Sequence, residues 1–102
     1  MYIKFKNPFV FEGETHEGVE LDFDNLTGDD IERAQEYLSV AKKPLGHSVP
    51  ELSKAYCAQV AALAAKQPVE FIRRLPAREY VRVTLEAQNF LLDGASEVGN
   101  TQ

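Results

Sequence analysis

From Pro50 to Leu92 the chain reads PELSKAYCAQVAALAAKQPVEFIRRLPAREYVRVTLEAQNFLL, and this stretch decides the fold. Pro68 and Pro76 cut it into three pieces. In the first, Leu52, Ala55 or Tyr56, Gln59 or Val60, and Leu63 recur at helical spacing, which predicts a helix over about 50–66. Ser48-Val49-Pro50-Glu51 resembles a capping box with a proline in the first turn. The alanines at 55, 58, 61, 62, 64 and 65 favour helix and keep it slim enough for another helix to approach closely. Gln67-Pro68 starts a short helix over 69–75, anchored by Phe71 and Ile72. Pro76 stops it and opens the last helix, 77–92, which ends at Asp93-Gly94. There Ala77, Tyr80, Val81, Thr84, Leu85, Gln88, Leu91 and Leu92 make one broad stripe, and Val83, Ala87 and Phe90 extend the apolar surface round the side. That surface is wider than one small core requires, so part of it is expected to face another chain.

Working outward, Ile3, Phe5, Phe9 and Phe11 share one parity and predict a half-buried strand, with Pro8 placing it at an edge or breaking it near its middle. Thr15, Val19, Leu21 and Phe23 repeat the pattern, with His16, Glu20, Asp22 and Asp24 opposite. Glu12-Gly13-Glu14 lies between the two runs, so a hairpin over about 2–24 is expected. A two-residue turn would pair odd positions with even ones and split the two apolar sets between faces. An odd loop or a bulge is therefore required, with Gly13 free to take positive φ. Thr27 is a good cap for a helix over 28–43, where Asp29 and Asp30 suit the helix dipole and Ile31, Ala34, Leu38 and Ala41 form the inner face. Residues 95–102 lack periodicity and read as a flexible tail. The fold class is α+β: one domain, 1–94, with an N-terminal hairpin followed by three main helices and one short helix, the helices covering the hairpin's Phe-rich face.

The net charge of −5 is unevenly spread: −7 over residues 1–36, +4 over 37–92 and −2 over 93–102. An acidic chain is a poor nonspecific ligand for nucleic acid, whereas the dipolar split suits an oppositely charged partner or a second copy. Arg73, Arg74, Arg78 and Arg82 form a basic cluster. It is either a patch for nucleic acid or an acidic partner, or a solubilising face with Glu70, Glu79 and Glu86 interspersed. The second is favoured, because a DNA-reading helix would be more densely basic. The single Cys57 excludes an internal disulfide and sits in an apolar helical context that reads as a small buried thiol. No run resembles a signal peptide or a membrane span, so an intracellular address without membrane association is expected.

Chemistry finds no foothold. Asp22-Phe23-Asp24-Asn25 begins like a calcium loop, but Thr27 stands where glycine is required and Arg33 where the closing glutamate belongs. His16 and His47 have no second ligand at metal-site spacing and read as surface histidines. There is no Gly-rich phosphate loop and no nucleophile elbow. The expected protein is not an enzyme and has no cofactor or metal.

Several segments together resemble the small tail assembly chaperones of long-tailed bacteriophages. Phe5-Lys6-Asn7-Pro8-Phe9-Val10-Phe11-Glu12-Gly13-Glu14-Thr15 is similar to that family's opening strand and turn, and Leu26-Thr27-Gly28-Asp29-Asp30 to the start of its first helix. Pro68-Val69-Glu70, Leu75-Pro76-Ala77-Arg78-Glu79-Tyr80 and Asn89-Phe90-Leu91 resemble its C-terminal half, so the likeness spans about residues 3–92. It implies a chaperone of virion morphogenesis that coats the helical tape-measure protein in the host bacterial cytoplasm and is absent from the mature virion. It also implies self-association along the client and, in many phages, a frameshifted longer form of the same chain as a further partner. The family has no catalytic residues. A helical client calls for exposed apolar helix surface, so client or self contact is expected at Phe71, Tyr80, Val83, Ala87, Phe90 and Leu91, although Tyr80 and Leu91 could equally fill the internal core. The alternatives are a nucleic-acid-binding regulator using Arg73–Arg82 and a minor structural component of the tail.

Overall fold

A computed structural model describes residues 1–40 and 53–100, with the side chains of 1–37 and 53–93. Strands β1 (Tyr2–Phe11) and β2 (Glu14–Glu20) form an antiparallel hairpin. A 3-10 turn (Phe23–Asn25) leads to helices α1 (Gly28–Val40), α2 (Lys54–Ala65), α3 (Val69–Arg73) and α4 (Ala77–Asn100). The fold is α+β.

Helix α2 is the centre. Tyr56, Cys57, Ala58, Val60, Ala61, Ala62 and Ala64 are all buried, leaving no polar side to face water. A helix apolar all round belongs inside, and α2 packs against α4, α3, α1 and the end of β2. Its first turn is capped by Ser53, whose Oγ accepts from the Tyr56 N–H at 3.3 Å. The helix therefore begins at Lys54, four residues later than expected, and the Ser48–Glu51 capping pattern lies outside the described residues. Lys66 ends it in the left-handed conformation, φ 58°.

The hairpin resolves the parity conflict by a bulge. Its turn is the two-residue Glu12-Gly13, both at positive φ (50° and 80°), the twist that tight hairpins favour. Phe11 pairs with Glu14 and Phe9 with His16, the odd-to-even pairing that a two-residue turn dictates. Further along, Lys4 pairs with Gly18 and Ile3 with Val19. Between these pairs β1 advances five residues, Phe9 to Lys4, while β2 advances two, so three extra residues sit in β1 around Pro8. That odd number restores the register, and Ile3, Phe5, Phe11 and Val19 are all buried. One expectation is corrected here. Near the turn His16 rather than Thr15 shares the inner face, and His16 is half-buried against the Phe71 ring at 4.9 Å.

Strand β2 stops at Glu20, short of the expected 24, because the Asp22 N–H turns to the Ala64 carbonyl at 3.0 Å. The 3-10 turn then stacks Phe23 on Phe90, ring centroids 5.0 Å apart. Helix α1 opens with reciprocal capping. Thr27 N–H donates to Asp30 Oδ2 at 3.0 Å, and Asp30 N–H donates to Thr27 Oγ1 at 3.4 Å. Ala34 is buried and Ile31 half-buried, as the periodicity requires; the Leu38 side chain and residues 41–43 lie outside the described parts. Helix α3 is shorter than expected, ending at Arg73. Helix α4 is longer, running through Gly94 to Asn100 where a flexible tail was expected. One glycine inside a helix costs only about 1 kcal/mol relative to alanine, so Gly94 need not end it.

The turn geometry sets two opposite outcomes. Gly13→Ala should lower stability by about 1 kcal/mol, because alanine resists positive φ. Glu12→Asn should raise it by a few tenths of a kcal/mol, because asparagine tolerates the left-handed region better. Urea unfolding followed by circular dichroism reads both.

Candidate protein-binding surface

The site question turns on which way α4 faces, and the hairpin bulge answers it. The insertion leaves the β1 residues between Lys4 and Phe9 without ladder partners in β2. Glu79 and Arg82, one turn apart on α4, bond the backbone at this irregularity. The Lys6 N–H donates to Glu79 Oε2 at 2.8 Å, and Arg82 Nη1 donates to the Lys4 carbonyl at 3.0 Å. Arg82 also binds Glu79 Oε1 at 2.8 Å, so the acid is satisfied although only 4% exposed. Groups buried this way are tolerated because each finds a partner.

With that side of α4 against the hairpin, Val83, Thr84 and Ala87 turn into the core, each fully buried. Small residues here let α4 lie close to the alanine-rich α2. Thr84 Oγ1 donates to the Tyr80 carbonyl at 2.8 Å and accepts from Lys54 Nζ at 3.3 Å. Phe71 is likewise fully buried, at the centre of an aromatic group with Phe9 (5.4 Å), Phe11 (5.3 Å) and His16.

The expected contact residues therefore separate. Phe71, Val83 and Ala87 are core and offer nothing to a partner in the folded chain. Tyr80, Phe90 and Leu91 are half-buried, packed on the core at the edges of α4. Burial raises the Tyr80 phenol above its ordinary value of 10.0, with Arg73 opposing the shift. Among the described residues the large exposed apolar side chains on this helix are Val81 (48%), Leu85 (45%) and Leu92 (41%). They fall at i, i+4 and i+11, with half-buried Gln88 completing the ridge. The sequence placed them in the broad stripe of α4, and the structure leaves this part of it outward. Apolar residues occupy so much of the helix circumference that periodicity alone does not fix its inner side. The signal was Glu79 with Arg82, read as solvated charges although they lie beside the proline-broken strand that needs their bonds.

The arginine cluster divides as well. Arg82 is held by Glu79 and Lys4, and the Arg74 guanidinium lies over the Phe11 ring at 5.7 Å. Exposed Arg73 and Arg78 remain. At the other end of α4 a cleft of about 290 Å³ opens beside the Phe23–Phe90 stack, with Asp22, Asp24, Glu86 and Asp93 at its walls. Such a lining repels phosphate. Among the described residues no group of three or more His, Cys, Asp or Glu could hold a metal, and no helix is long and apolar enough to cross a membrane. Cys57 is buried in α2. No protein-family model matches the chain, and neither a curated protein nor a solved structure is significantly similar to it.

Two measurements probe this geometry. Glu79→Ala should cost about 1–3 kcal/mol, since it leaves the Lys6 N–H without its partner, while exposed Arg82 keeps the Lys4 carbonyl. A double-mutant cycle with Arg82→Ala should return a smaller cost than the sum of the singles. The raised Tyr80 value means that the folded state holds this proton more tightly than the unfolded one. Its contribution is therefore full below pH 10 and lost as pH rises through the folded value. Denaturant melts across the alkaline range should show wild type losing stability more steeply than Tyr80→Phe.

Proposed function

We propose that this chain is a non-catalytic binding domain that holds an apolar helix of another protein, as a tail assembly chaperone holds the phage tape-measure protein. One observation carries the proposal. After the core closes, Val81, Leu85 and Leu92 remain on α4 as an apolar ridge at helical spacing, exposed by 48%, 45% and 41%. An amphipathic client helix laid along such a ridge would bury apolar surface on both sides. The ridge is short, which suits a client that must later be released to tail-tube subunits. The ordered likeness of residues 3–92 to the tail assembly chaperones adds the client's identity, and with it a place in the host cytoplasm and absence from the finished virion.

The regulator reading has less behind it. Two of its four arginines are engaged within the chain, and the opposite end of α4 is walled by carboxylates. Binding of an apolar helical tape-measure fragment, followed by calorimetry, tests the proposal. Leu85→Asp and Leu92→Asp should each weaken it tenfold or more, about 1.4 kcal/mol, with the circular dichroism spectrum unchanged. Val83→Asp should unfold the chain instead. Unaltered affinity in both surface variants would remove the ridge from the binding site.

A further inference from the structure

We draw no further inference here: the strongest candidate, the cleft beside the Phe23–Phe90 stack walled by Asp22, Asp24, Glu86 and Asp93, is an acidic cluster, and none of its lining residues is a buried polar group left without a partner that would point to a ligand.

Discussion

Glu79 and Arg82 hold the backbone of the β1 bulge, and the arrangement of the rest follows from that grip. The bulge exists because a two-residue turn and two apolar strand faces cannot be reconciled without an odd insertion. The insertion leaves an N–H at Lys6 that the sheet does not pair, and Lys4, at the edge of the insertion and in register with Gly18, offers its carbonyl to Arg82. An acid and a base at i and i+3 on α4 meet those groups and one another. Once they are placed, α4 cannot rotate. Its small residues Thr84 and Ala87 fall against α2, and its larger aliphatics Val81, Leu85 and Leu92 are left outside.

Local rules made much of the architecture legible in the sequence. Pro68 and Pro76 mark the breaks between α2, α3 and α4, because neither can continue a preceding helix. Thr27 and Asp30 cap α1 by the chemistry their residue types announce. The need for a bulge or odd loop came from parity alone. What stayed hidden was non-local. Which face of α4 is inward depends on bonds to Lys4 and Lys6, more than seventy positions away. The end of β2 depends on an Ala64 carbonyl in another helix. His16, read as a surface residue, is drawn inward because Phe71 presents a ring edge to it. Val83, Ala87 and Phe71 were assigned to a partner for the same reason. Helical periodicity reports that a helix has an apolar side and does not report the direction of the core.

Two kinds of apolar surface result. One is aromatic and enclosed, around Phe71, with Phe9, Phe11 and His16 joining the hairpin to α3. Complete burial of that ring contributes about 2–3 kcal/mol. The other is aliphatic, open and narrow, along α4. The enclosed surface stabilises the monomer, and the open one is available to whatever helix lies beside it. Along the same helix Arg78 and Arg82 lie near the start, and Glu86 and Asp93 line the cleft further on.

The bond from Lys6 to Glu79 joins residues 73 positions apart in the chain. Synthesis proceeds from the amino terminus, so the hairpin leaves the ribosome long before the helix that completes its hydrogen bonding. A lone two-stranded hairpin is marginal in water, and this one carries a gap in its ladder. The nascent hairpin must therefore wait for α4 before it can settle, and the fold closes only once Glu79 and Arg82 have been made.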